Sequence, residues 1–245
     1  MAPVPHRTLD RIGSTTGIAA IALLVVTAAI GEMPSPDRPI DAIAADVHVQ
    51  ASSLLVGVYT GMLMTLCLLV FGASVVAALR RAEGAQGGWW VLALVGISGT
   101  AIWILADAAA ASFVRAVEHG VSGDALWIGY GLDHWIGLLA LGPLGLFIIA
   151  SSVGSQRTAL LASWTTWLGL AAGALLILGA GAITGDELTG GPFGAAMLLG
   201  YLLAIVWIAA VSLQLWRRSR RVAQTELAAA VPGRTTTEAA PIPSV

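Results

Sequence analysis

The sequence predicts an all-helical, polytopic membrane protein with six transmembrane helices and both termini in the cytoplasm. Composition gives the first reason: 57% of the 245 residues are hydrophobic and only 11% are charged, against about 25% charged residues in a typical soluble domain. The mean hydropathy of +0.85 agrees. Six separate apolar runs are also long enough to cross a hydrocarbon core of roughly 30 Å as helices.

The six apolar runs define the predicted spans. They are Gly13–Gly31, Ser52–Leu79, Trp89–Phe113, Leu126–Val153, Leu160–Ile183 and Phe193–Trp216. None alternates polar and apolar residues as a strand of a membrane barrel does, so helix is the expected structure. We expect residues 1–221 to form the membrane domain. Residues 222–245 are rich in Ala, Thr and Pro, which predicts a disordered cytoplasmic tail.

The orientation follows from the distribution of charge. Arginines occur before the first run and after the second, fourth and sixth, at Arg7, Arg11, Arg80, Arg81, Arg157, Arg217, Arg218, Arg220 and Arg221. The opposite connections are acidic, with Glu32, Asp37, Asp41, Asp46, Glu118, Asp124, Asp186 and Glu187. The positive-inside rule places the arginine side in the cytoplasm. A cleaved signal peptide is the alternative for the first run, but it is long for one and lacks a clear A-x-A site.

The basic residues also predict contacts. Two groups of arginines are expected to fix the topology and to contact anionic headgroups of the lipid bilayer. They are Arg80 with Arg81, and the cluster of Arg217, Arg218, Arg220 and Arg221. Docking of a cytoplasmic partner is the alternative for the cluster. Nothing in the sequence indicates a nucleic-acid partner.

Small residues spaced by four predict close helix packing. Gly57 and Gly61 form one GxxxG pattern, and Gly169 and Gly173 form another. Such faces let helix backbones approach within one chain, and they also permit a homodimer or a second membrane partner. Pro143 lies inside the fourth run and is expected to kink that helix.

Asp107 is the leading candidate for a functional residue. It lies in the third apolar run, eighteen residues after Trp89, or about 27 Å along a helix. Ionisable residues at membrane depth usually have a function. Thr100 and Trp103 share its face at helical spacing. We therefore expect Asp107 to face the bundle as a ligand or proton site; an interfacial carboxylate that reaches water is the alternative.

Asp133 and His134 form a second polar site, on the fourth run. Measured from Ser151, His134 lies about 26 Å along its helix, close to the depth of Asp107. Consecutive helices usually pack as antiparallel neighbours. The sequence therefore predicts a direct or water-mediated contact between Asp107 and His134.

Three histidines are expected on the outer side: His48, His119 and His134. Histidine and carboxylate ligands suit zinc, and paired histidines can bind haem. No HxxxH, HExxH or CxxC spacing accompanies them. A metal site is therefore a minor hypothesis, and the sequence leaves the cofactor unknown.

Two resemblances come from these patterns. Gly96–Ile97–Ser98–Gly99 resembles the GxSG of rhomboid proteases, which implies a serine nucleophile with a histidine base. The last run, Phe193–Trp216, contains no histidine, so this chain departs from that family. The overall layout resembles uncharacterised six-helix proteins of the bacterial inner membrane, a resemblance that implies a multi-pass cell-membrane protein and no particular activity.

Three classes of function remain. The first handles a small ligand, an ion or a proton at an outward-facing polar pocket around Asp107 and His134. The second is a non-enzymatic accessory, sensor or partner-binding subunit. The third, a membrane enzyme that uses a metal or haem, is the least favoured. An enclosed pocket lined by Asp107 would favour the first class.

Overall fold

A computed structural model of the chain describes residues 6–30, 38–84, 87–121, 123–184 and 191–230. Its helices are α1 (His6–Ile30), α2 (Ile40–Glu83), α3 (Trp89–Gly99), α4 (Trp103–Glu118), α5 (Asp124–Leu139), α6 (Leu141–Thr158), α7 (Ser163–Ala180) and α8 (Pro192–Ala230). Segments of 3₁₀ helix cover Thr100–Ile102 and Gly181–Thr184. The described residues contain no strand, and the all-helical class is confirmed.

Six helical segments are long and apolar enough to cross a membrane, as the sequence predicts. They are Thr8–Ile30, Ile40–Glu83, Trp89–Glu118, Ala125–Thr158, Ser163–Ile183 and Pro192–Arg221. The third combines α3 and α4, and the fourth combines α5 and α6. Both of these spans are interrupted part of the way along.

The fourth span is interrupted where its proline predicts. Helix α5 ends at Leu139 and α6 begins at Leu141, with a turn at Ala140. Pro143 has no backbone N–H, and its ring clashes with the carbonyl four residues earlier, which belongs to Leu139. The break therefore occurs at the carbonyl that the proline excludes.

The third span is interrupted opposite this proline. An added Cβ atom on Gly96 would lie 2.5 Å from the backbone nitrogen of Phe147, and one on Gly99 would lie 2.7 Å from the Cβ of Pro143. The 3₁₀ turn Thr100–Ile102 follows directly. The two glycines thus let α3 contact the start of α6, and the interruptions of the two spans lie side by side.

The second span is much longer than its apolar run. Helix α2 has 44 residues, or about 66 Å, roughly twice a hydrocarbon core. It begins at Ile40, twelve residues before the predicted boundary, so part of the expected outer loop is helical. This extension packs against the end of α4 and the start of α5 in an outer core of Ile43, Val47, Ala51, Leu54, Phe113, Val114, Val117, Leu126 and Tyr130.

A larger core fills the rest of the bundle. Three fully buried rings, Phe71, Phe147 and Trp207, meet edge to face with centroids 5.9–6.4 Å apart. Edge-to-face packing is a favoured arrangement of aromatic rings. Because the rings come from the second, fourth and sixth spans, they hold non-consecutive helices together.

Glycines bring α6 and α7 into backbone contact. An added Cβ on Gly145 would lie 2.6 Å from the carbonyl oxygen of Gly173, and one on Gly173 would lie 2.7 Å from that of Gly145. Gly169 leaves room for Ser152 and Trp207 in the same way. The structure thus uses the predicted face of Gly169 and Gly173 for packing within one chain. Gly57 is also buried.

One end of the bundle collects the arginines, and we call it the basic end. Asp10 of α1 accepts a hydrogen bond of 2.7 Å from Arg81 of α2. Guanidinium groups also lie over indole rings there: Arg11 and Arg220 over Trp216, Arg80 over Trp90, and Arg157 over Trp89, all within 5.0–5.7 Å. These contacts show that the arginine-bearing helix ends meet on one side.

The end of the chain differs from its prediction. Helix α8 continues to Ala230, so the first nine residues of the expected disordered tail are helical. Residues 231–245 lie outside the described residues, as do the outer acidic residues Glu32, Asp37, Asp186 and Glu187.

Candidate functional site

A central cavity of about 530 Å³ lies between five of the six spans, all except the fifth. Along α1 it extends from Ala20 to Thr27. These residues lie ten and seventeen positions after Asp10 at the basic end, or about 15 and 26 Å along a helix. The cavity therefore reaches from the middle of the bundle toward the end opposite the basic end.

Asp107 lines this cavity. Its Oδ2 atom is buried without a hydrogen-bond partner. An added Cβ on Gly61 would lie 2.9 Å from Oδ1 of Asp107. The carboxyl therefore lies close to the backbone of α2 at a position without a side chain. Gly61, predicted as a helix-packing residue, thus provides the space for this carboxyl. Asp107 therefore faces the cavity between the helices.

The second acidic group in the cavity is Asp133, and His134 does not line it. Asp133 is near enough to Asp107 for their charges to interact. No direct hydrogen bond joins Asp107 and His134 in the described residues, and Asp107 Oδ2 and His134 Nε2 are both buried without partners. His134 instead packs edge-on against Trp135.

The difference between Asp133 and His134 has a geometric cause. The expected depth of His134 assumed one continuous helix ending near Val153, but α6 runs to Thr158 and the span is broken at Ala140. A count of residues from Ser151 therefore does not fix the position of His134. Asp133 then faces inward together with Gly137, four residues later and one turn away.

Trp103 joins the two interrupted spans beside the cavity. Its indole Nε1 donates a 3.0 Å hydrogen bond to the backbone carbonyl of Gly137. Thr100 is fully buried, and its hydroxyl donates to the carbonyl of Ile97. Trp103 therefore lines the cavity, whereas Thr100 stabilises the 3₁₀ turn below it.

Sequence reasoning missed the other polar residues of the cavity. Tyr201 of α8, Thr65 of α2 and Thr27 of α1 all line it. The hydroxyls of Thr27 and Thr60 lie 2.9 Å apart, within hydrogen-bond distance. A lone tyrosine or threonine in an apolar run is a weak signal, since threonine can satisfy its hydroxyl on its own helix.

The described residues contain no group of three or more His, Cys, Asp or Glu side chains that could hold a metal ion. The three histidines of the metal hypothesis, His48, His119 and His134, therefore do not come together as such a group in the described residues. His48 and His119 are exposed, and His119 Nδ1 lies 2.7 Å from the carbonyl oxygen of Arg115. His48 lies on α2, His119 follows the end of α4, and His134 lies on α5.

The GxSG pattern has a packing role. Gly96 and Gly99 face Phe147 and Pro143, whereas Ser98 is exposed on the outside of the bundle. A nucleophile needs a base within hydrogen-bond reach, and no hydrogen bond joins Ser98 to a histidine among the described residues. The resemblance to rhomboid proteases therefore does not extend to a catalytic arrangement.

No family model matches the chain, and no curated protein or solved structure is similar to it. Its function must therefore be argued from its own residues.

Proposed function

We propose that this is a ligand-handling membrane protein whose central cavity binds a small, positively charged organic molecule through Asp107 and Asp133. The observation that carries the proposal is the pair of carboxyls, Asp107 and Asp133, that line one cavity. No Arg or His lines the cavity in the described part of the chain. A buried carboxylate without a counter-charge is costly, and a bound cation would offset that cost.

The remaining walls favour an organic cation over a bare metal ion. Most lining residues are aliphatic, including Leu24, Leu68 and Ile205, and two aromatic residues, Trp103 and Tyr201, are present. Small-molecule sites are typically apolar cavities of about 300–1,000 Å³ with a few polar groups. Aromatic rings also attract organic cations through their π faces.

We place the entry to the cavity on the side opposite the basic end. Asp107 lies eighteen residues beyond Trp89, at the outer part of the cavity, whereas Ala20 lies near mid-depth. We further propose that the basic end is cytoplasmic, because its arginines follow the positive-inside rule. Reporter fusions at Arg157 and the C-terminus should then score cytoplasmic, and fusions near Asp41, Glu118 and Asp186 external.

Binding of tetraphenylphosphonium, a bulky organic cation, tests the proposed ligand class. At an effective dielectric of about 20, opposite charges 4 Å apart attract by roughly 4 kcal/mol. Asp107→Asn and Asp133→Asn should therefore each weaken saturable binding at least about tenfold.

Glu118→Gln is the matched control for these variants. Glu118 is an exposed carboxylate that pairs with Arg115 on α4, the helix that bears Asp107, and it lies outside the cavity. Its neutralisation should leave affinity within about twofold. If all three variants bind tetraphenylphosphonium with equal affinity, the cavity is not its binding site. An accessory or partner-binding role would then be favoured.

A further inference from the structure

A second cavity, of about 630 Å³, lies at the basic end, between the connection from α6 to α7 and the last turns of the sixth span. Arg217, Arg218 and Arg221 line it from α8. No carboxylate is among the lining residues in the part of the chain that the structure describes. Arg217 and Arg218 therefore bring positive charge to a cavity that no described carboxylate lines, which favours an anion.

The wall opposite the arginines is held in place by a glutamine. Gln214 of α8 accepts a 2.9 Å hydrogen bond from the N–H of Ala162 and donates a 2.7 Å bond to the hydroxyl of Thr165. The α6–α7 connection also has Ala159 in a left-handed conformation, with φ 51°, and the N–H of Leu160 bonds to the Ser155 carbonyl. These contacts fix the connection against α8.

The rest of the lining is apolar and meets the expected bilayer surface. Leu160, Leu161, Leu213 and Trp164 contribute to it, and Trp164 is 57% exposed. Guanidinium groups recognise phosphate oxygens through paired hydrogen bonds, and apolar side chains suit acyl chains. We propose that this cavity binds the phosphate headgroup of an anionic phospholipid, with its acyl chains against the leucines.

The chain contains a matched control for this site. Arg220 belongs to the same arginine cluster, but its guanidinium lies 5.1 Å from the ring centroid of Trp216 and it does not line the cavity. A general attraction between positive charge and anionic lipid would treat Arg220 like Arg217 and Arg218. Binding in a specific cavity would instead depend on Arg217 and Arg218 and not on Arg220.

Binding of short-chain phosphatidylglycerol to the full-length protein in neutral detergent tests the proposal, with short-chain phosphatidylcholine as the comparison lipid. We expect saturable binding of phosphatidylglycerol and at least tenfold weaker binding of phosphatidylcholine. Because each lost charge-assisted hydrogen bond typically costs about tenfold or more, Arg217→Gln combined with Arg218→Gln should weaken phosphatidylglycerol binding at least tenfold. Arg220→Gln should change it by less than about twofold.

A second variant keeps every arginine and alters only the wall. Gln214→Leu removes the hydrogen bonds to Ala162 and Thr165, so we expect several-fold weaker phosphatidylglycerol binding at unchanged net charge. Equal losses in Arg220→Gln and in the paired arginine variant would overturn the proposal. Inorganic phosphate that competes at the same concentration as phosphatidylglycerol would overturn the lipid assignment in favour of a free phosphate anion.

Discussion

Asp10 at the basic end and the pair Asp107 and Asp133 in the central cavity are carboxyl groups with very different surroundings. At the basic end, the Asp10 side chain is only 8% exposed and pairs with Arg81 at 2.7 Å. In the central cavity, Asp107 and Asp133 face open space, and no cationic side chain lines it in the described residues. The first carboxylate joins two helices. The carboxyls of Asp107 and Asp133 have no such cationic partner, which leaves their charge available to a ligand.

The helices around the two sites also differ. Asp10 lies beside packed helix ends, where Arg81 comes from the neighbouring α2. Asp107 and Asp133 lie beyond the interruptions of the third and fourth spans, at Thr100–Ile102 and Ala140. The cavity that the two carboxyls line adjoins both interruptions, through Trp103 and Gly137.

Loss of Arg81 should have the largest effect on stability. Arg81→Met leaves Asp10 buried without its partner, which should lower the free energy of unfolding by about 2 kcal/mol. This is less than the roughly 3–5 kcal/mol of a fully buried pair, because the Arg81 side chain is 25% exposed. Denaturant unfolding of the detergent-solubilised protein measures the change.

Neighbouring variants isolate the ion pair. Arg80→Met removes only a cation–π contact with Trp90 and should cost about 0.5–1 kcal/mol. Adding Asp10→Asn to Arg81→Met should recover part of the lost stability, since no unpaired carboxylate remains. A double variant less stable than Arg81→Met would contradict the assigned pairing.

Crowding the Asp107 carboxyl should have the next largest effect, on ligand binding. Gly61→Ala places a methyl group 2.9 Å from Asp107 Oδ1 and should weaken tetraphenylphosphonium binding about tenfold by displacing the carboxyl. Gly137→Ala is the matched variant, because it lines the same cavity but its added Cβ meets nothing within 4 Å. Equal effects of the two variants in a binding titration would argue against a role for the position of Asp107.

Neutralising Asp107 should have the smallest effect, and its sign distinguishes the two sites. Without ligand, Asp107→Asn should raise the free energy of unfolding by about 1 kcal/mol, because it removes an uncompensated buried charge. Functional sites are commonly less stable than they could be. Asp10→Asn should instead lower stability, and thermal unfolding of both variants gives the comparison. A loss of stability in Asp107→Asn would indicate that Asp107 is a structural residue.

The spans were predictable because each depends on a long local run of apolar residues. The extension of α2 was not recognised, although Ile43, Val47, Ala51 and Leu54 recur on one helical face, because Asp41 and Asp46 suggested an outer loop. These two polar residues thus led to the prediction of a loop where there is a helix. The apolar side of that helix packs on α4 and α5.

The cavity was predictable only in part. Asp107 is conspicuous in an apolar run, and its inward orientation follows from the cost of facing lipid. Asp133 lines the cavity and its neighbour His134 does not. Which of the two faces the cavity depends on how the interrupted fourth span packs, and no local sequence pattern reveals that. Asp10 was overlooked for a related reason: its partner Arg81 lies 71 residues away in the sequence, and no local pattern joins them.

The central claim is that Asp107 and Asp133 make the cavity selective for positive charge, and a pair of ions of matched shape tests it directly. Tetraphenylphosphonium and tetraphenylborate have nearly the same size and opposite charge. The wild-type protein should bind the cation saturably and at least tenfold more tightly than the anion, and Asp107→Asn combined with Asp133→Asn should abolish that preference. Equal binding of both ions by the wild type, or a preference unchanged in the double variant, would contradict the claim.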